Sequence, residues 1–164
     1  MIDIKKINSL NKSEFLSIFG NVFEKSKWIS EKAFDLKPFE NLESFVLEII
    51  GIYENSDDKT IIKILNLHPE LAIEKNLTSN SEAEQSKANL KQCTPEEFDE
   101  FKRLNIEYKK KFSFPFIIAV KGKNKNQILD YFRERINNSP NEEFLEAKKQ
   151  VKKIASFRLE EIIK

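Results

Sequence analysis

A chain of 164 residues, 40% hydrophobic and 34% charged, carries enough apolar material for one continuous core, which excludes the disordered class. Its 28 Lys and Arg almost cancel its 27 Asp and Glu, and a formal net charge of +1 leaves no long-range field to gather nucleic acid or an anionic membrane. Three scattered glycines exclude a dinucleotide fingerprint or phosphate loop, and one histidine with one cysteine, His68 and Cys93, excludes a His/Cys zinc site within the chain.

Met1 to Lys6 lacks the apolar run of a signal peptide, and no stretch approaches the ~18 apolar residues of a membrane span. A lone cysteine fits a reducing compartment, so a cytoplasmic protein is expected. Helical periodicity then dominates the chain. Asn11, with Glu14 three residues on, caps a first helix that carries Phe15, Phe19, Val22 and Phe23 on one face. Trp28 to Phe34 reads as a short second helix. Asn41 opens another, with Leu42, Phe45, Val46, Ile49, Ile50 and Tyr53 at helical spacing. Asp57 or Asp58 caps a segment carrying Ile61, Ile62, Ile64 and Leu65, which His68-Pro69 must end, because the residue before proline avoids the helical region.

Ser81 is a candidate cap for a helix through Glu84 and Gln85 to Leu90, with Ala83, Ala88, Asn89 and Leu90 as its inward residues. Thr94-Pro95-Glu96-Glu97 combines a capping box with proline at the first helical position, and Phe98, Phe101, Leu104, Tyr108 and Phe112 follow at steps of three and four. The period then changes: 114–120 is a continuous apolar run with proline inside it, predicted to be buried and extended. Asn124 or Asn126 begins a helix with Ile128, Leu129, Phe132 and Ile136, and Ser139-Pro140-Asn141-Glu142 opens a long last one. The expected fold is all-α, a single domain over 1–164 formed by one bundle of about eight helices.

Some residues break this pattern. Arg158 falls near the centre of the apolar stripe of Val151, Ile154, Ala155 and Ile162, where a guanidinium must meet a carboxylate, reach solvent along its stem, or line a cavity that accepts an anion. His68 sits at a helix end beside a rigid proline, suited to acid–base work near neutral pH or simply to offsetting the helix dipole. Ser81-x-x-Glu84 is a capping box, yet the helix after it is too small and polar on its inner side to be good core, which leaves a cavity as the alternative. Nothing beside Cys93 marks a base that would make it a nucleophile.

Read together, these residues lie within Phe19-Gly20-Asn21-Val22-Phe23-Glu24 through Trp28, His68-Pro69-Glu70-Leu71-Ala72, Leu77-Thr78 with Ser81-x-x-Glu84-Gln85, Leu104-Asn105-x-x-Tyr108, Lys111-Phe112-x-Phe114-Pro115-Phe116-Ile117 and Ile154-Ala155-x-x-Arg158-Leu159. In order and spacing, and over essentially the whole chain, the set resembles the 2-oxo-4-hydroxy-4-carboxy-5-ureidoimidazoline (OHCU) decarboxylases. Lys27 stands where the family often has proline, Asn89 where glycine is common, and Ser113 where Phe-Gly-Phe-Pro-Phe is usual.

The resemblance implies the last step from urate to (S)-allantoin: loss of CO2 from a ureidoimidazoline, then protonation of a ring carbon from one face. It implies no metal or organic cofactor, a small-molecule substrate and a homodimer. By position, His68 is the implied acid–base group and Glu84 its orienting carboxylate. Pro69, Ser81, Gln85, Arg158 and the backbone of Ile117, Ile118, Ala119 and Val120 are the implied substrate contacts. Two other functions stay open at this point: a non-enzymatic helical interaction module, and a lyase or hydrolase acting on another small ureide, which Asn89 and Ser113 would permit.

Overall fold

Side-chain caps set the helix boundaries. The computed structural model describes residues 2–72 and 77–163, and among them are nine α-helices, one 3-10 turn and no strand. Asp3 accepts the Lys6 N–H and opens α1 (Ile4–Ser9), a helix that periodicity does not predict because only Ile7 of its six residues is buried. Asn11 and Glu14 form the expected capping box of α2 (Lys12–Phe19). Val22 and Phe23 are buried as expected, but they follow the helix and do not lie on it. Next come α3 (Lys27–Phe34), α4 (Leu42–Glu54, capped by Asn41) and α5 (Asp58–Asn66, capped by Asp57). Ile62, expected inside, is exposed.

Thr94 and Glu97 close a capping box on α7 (Pro95–Phe112) with Pro95 in its first turn, as the sequence predicts; Phe98 nevertheless faces outward. Asn124 and Gln127 cap α8 (Lys125–Arg135), and Ser139 with Glu142 caps α9 (Pro140–Ile163). Residues 115–120 between α7 and α8 have no regular secondary structure, and the whole run 114–120 is buried.

The chain divides into two compact units: Met1–Leu67 with Val151–Lys164, and His68–Gln150. In the first, Phe19 packs against Phe15 and Phe45 with ring centroids 4.8 and 4.9 Å away, and Phe23 against Tyr53 at 5.0 Å. In the second, Phe116 stacks on Phe132 at 3.9 Å, and Tyr108 meets both rings edge-on. Each such pair adds roughly 0.5–1.5 kcal/mol beyond the area it buries. None of the described helices is long and apolar enough to cross a membrane.

Candidate functional site

Helix α5 ends at Asn66, the Leu67 N–H bonds back to Ile64 and Leu65, and Pro69 bars another turn. His68 is thus held at a junction that cannot extend, and it is 9% exposed. Helix α6 (Ser79–Lys87) begins earlier than its sequence suggests. Thr78, and not Ser81, is its N-cap, accepting the Ser81 N–H at 3.3 Å. Ser81 therefore lies inside the first turn, one helical turn before Gln85 on the same face, and both are buried. Ala88 and Leu90 are inward as expected, whereas Ala83 and Asn89 are exposed. Asn89 has φ 59°, and so carries the left-handed turn that ends the helix.

This polar face is fastened to the stretch that starts at His68. Gln85 Oε1 accepts the N–H of Ala72, a residue held at φ 67°, at 3.2 Å, and Asn105 Nδ2 on α7 donates to the Leu71 carbonyl at 3.1 Å. Glu84 on α6 and Pro69 are half-buried.

The 114–120 segment is held at two points. The Ile117 carbonyl accepts from Arg135 Nη1 at 2.7 Å, and the Ala119 N–H donates to Gln150 Oε1 at 2.9 Å. Arg135 is itself fixed by Glu143, through Nε at 2.8 Å and through Nη2. Tyr108 Oη donates to the same carboxylate at 2.5 Å, and Asn138 Nδ2 at 2.9 Å. Burial, and then Glu143, push the Tyr108 hydroxyl well above its ordinary range, so it stays a protonated donor. Of the backbone groups expected to meet a substrate, the Ile117 C=O and the Ala119 N–H are therefore engaged within the protein.

Arg158 belongs to the first unit, where the sequence left three environments open for it. It meets a carboxylate: Nη2 lies 3.1 Å from Glu24 Oε2, while Nη1 donates to the carbonyls of Asn21 at 3.0 Å and Val22 at 3.5 Å. Both side chains of the pair are at most 5% exposed, which makes it a buried ion pair. Cys93 donates to the Leu90 carbonyl, and burial, together with Glu97, pushes its thiol up, away from nucleophilic use. The hollow near Trp28, Lys32, Asn55 and Asp57 contains none of the expected site residues.

Arg135, Glu143 and Gln150 went unnoticed in the sequence, although the signal that marks Arg158 was present for them. Arg135 continues the stripe of Ile128, Leu129 and Phe132, while Glu143 and Gln150 sit at helical spacing with Ala147 and Val151.

The sequence profile of OHCU decarboxylase matches residues 8–160. This chain belongs to the OHCU decarboxylase family. It is 34% identical to the Amia calva 2-oxo-4-hydroxy-4-carboxy-5-ureidoimidazoline decarboxylase, covering 99% of this chain and 95% of that one. It is 37% identical to the uric acid degradation bifunctional protein of Bacillus sp. (strain TB-90) over 100% of its own length, but spans only 33% of that longer protein. Among solved structures, one described as (S)-allantoin synthase superposes with a TM-score of 0.82 at 26% identity, covering 100% of this chain and 54% of that one. The fold is that of the family, all-helical.

Proposed function

We propose that the chain decarboxylates 2-oxo-4-hydroxy-4-carboxy-5-ureidoimidazoline to (S)-allantoin in urate breakdown, without a metal or organic cofactor. In this reaction the bond from the hydroxyl-bearing ring carbon to the carboxylate breaks and CO2 leaves; the electron pair forms a double bond to the neighbouring ureido-bearing carbon, whose C=N electrons move onto nitrogen, which takes up a proton. A proton then adds to the ureido-bearing carbon from one face as the hydroxyl loses its proton and becomes the ring carbonyl of allantoin. The ring supplies the electron sink, so the protein has to position charge and move protons. His68 is the acid–base group, Pro69 holds it at the rigid junction, and Glu84 orients it. Ser81 and Gln85 hydrogen-bond the ring and ureido groups, and the backbone groups of 117–120 that are not held within the protein receive the ring amides. Residues 1–164 work as one functional domain, in the cytoplasm and as a homodimer.

Beside family membership, one observation carries this function: buried Ser81 and Gln85 share a face of α6 that Gln85 ties, through Ala72, to the stretch beginning at His68. A helix whose buried face is polar contributes little to a core, and a site explains its retention.

The test is to supply freshly generated OHCU to the purified protein and follow the circular dichroism of allantoin. A burst of the (S) enantiomer ahead of the spontaneous rise to racemate is expected; an unchanged slow rise would leave the interaction module or another ureide. His68→Asn is expected to cost at least ~3 kcal/mol of transition-state stabilisation, a hundredfold or more, with the helical spectrum intact. A variant that keeps its rate but melts early would return His68 to a structural role.

A further inference from the structure

We infer that Gln150 and Arg135 are positioning residues that aim the backbone of Ile118 at the ligand; the inference rests on the function proposed above. In an extended chain the N–H and C=O of one residue face one edge, and those of the next face the opposite edge. The two grips on the segment fall on Ile117 and Ala119, two residues apart and therefore on the same edge. By that alternation Ile118, between them, faces the other edge. It is 5% exposed, and among the described residues its N–H and C=O enter no hydrogen bond. Buried backbone groups in that state are rare in proteins. A donor and an acceptor side by side suit a ligand that offers both, as a ring amide or ureide does.

Both grips are themselves locked. Gln150 Nε2 donates to Glu146 Oε1 at 2.7 Å, which turns its Oε1 toward the Ala119 N–H. Lys123 Nζ donates to the Ala119 carbonyl at 2.9 Å, on the same residue. Arg135 lies over the Phe116 ring at 4.4 Å and has Nε and Nη2 committed to Glu143, so Nη1 is directed at Ile117. A network serving stability alone is satisfied by any nearby carbonyl or amide. Here the two grips flank one residue and fix the direction of its peptide groups. Neither Gln150 nor Arg135 touches substrate in this arrangement; each acts through the backbone.

The test uses the full chain with Gln150→Leu and with the exchange Glu146→Gln/Gln150→Glu, which returns an acceptor to Ala119 and reverses the donor on its other side. For each, KM and kcat on OHCU, the melting temperature and the hydrogen exchange of the Ala119 amide are measured. Q150L is expected to raise KM on the order of tenfold to a hundredfold and to change kcat by less than about threefold, with faster Ala119 exchange. The exchange variant should recover KM to within about threefold. Should Q150L not fold, Arg135→Lys, which keeps the charge beside Glu143 but loses the planar reach to Ile117, is expected to raise KM in the same way. A released Ala119 amide with KM within about twofold of wild type would overturn the positioning role alone. So would a raised KM that persists once the exchange variant restores Ala119 protection. A wild-type protein inactive on OHCU would overturn the function, and this role in it.

Discussion

Each unit buries one arginine against one glutamate, yet the two pairs do different things. In the first unit Arg158 meets Glu24 and the carbonyls of Asn21 and Val22, so it ties the end of the chain to the turn after α2. In the second, Glu143 draws together Arg135, Tyr108 and Asn138, and one arginine N–H is left to hold Ile117. A buried ion pair is poor evidence for stability, because desolvation offsets much of its attraction. Its distinctive capacity is to fix direction, and what it fixes depends on where the remaining donors point.

Arg135→Met should break the richer of the two clusters. It strands Glu143 and is expected to destabilise the fold by about 5 kcal/mol, read by denaturant unfolding. Arg158→Met strands Glu24 and should cost about 3 kcal/mol, while the added Glu24→Leu should return most of it, since an apolar pair can replace a buried ionic one. That double variant sharpens the contrast. If Arg158 also holds a substrate group, as the family resemblance implies, the refolded protein stays inactive; recovery of both stability and turnover would confine Arg158 to structure.

A smaller change, Ser113→Gly, relieves a left-handed residue at φ 65° just before the segment that Arg135 grips. It should raise stability by about 1 kcal/mol and add independently to the Arg158→Met effect measured by the same unfolding curves. Smallest is the half-buried pair of Glu97 and Lys125, 2.7 Å apart. The Lys125 hydrogen bond, then the Thr94 N–H, hold the Glu97 carboxyl below its ordinary 4.5. A carboxyl lowered by folding stabilises above its unfolded pKa and loses that contribution as pH falls through the folded one. Glu97→Gln should therefore flatten the acid limb of stability below about pH 4.5 and reduce its salt dependence.

What the sequence disclosed follows from how local each signal is. The box at Thr94-Pro95 and the stop at His68-Pro69 are read within four residues, and both stand in the fold. At α6 the Ser81-x-x-Glu84 pattern resembles a capping box, but Thr78, three residues earlier, caps the helix, so Ser81 lies inside it. Arg158 was conspicuous because apolar residues surround it in sequence. Arg135 sits between Glu134 and Ile136 in a charged stretch, and its partner arrives eight residues later on another helix, so pairing them needs tertiary contacts. Helix α1, with one buried residue, offers no stripe to read.

The division of α9 between the units has a kinetic consequence. Every residue of the second unit, 68–150, has been synthesised before the first unit possesses its last segment, 151–164. Arg158 and Glu24 lie 134 residues apart, so their closure is among the longest-range events in the chain, whereas Arg135 and Glu143 lie eight apart and join early. During vectorial synthesis, then, the neighbourhood of Glu24 waits for the ribosome, with the aromatic side chains of α2 and α4 already made and their ionic latch still to come.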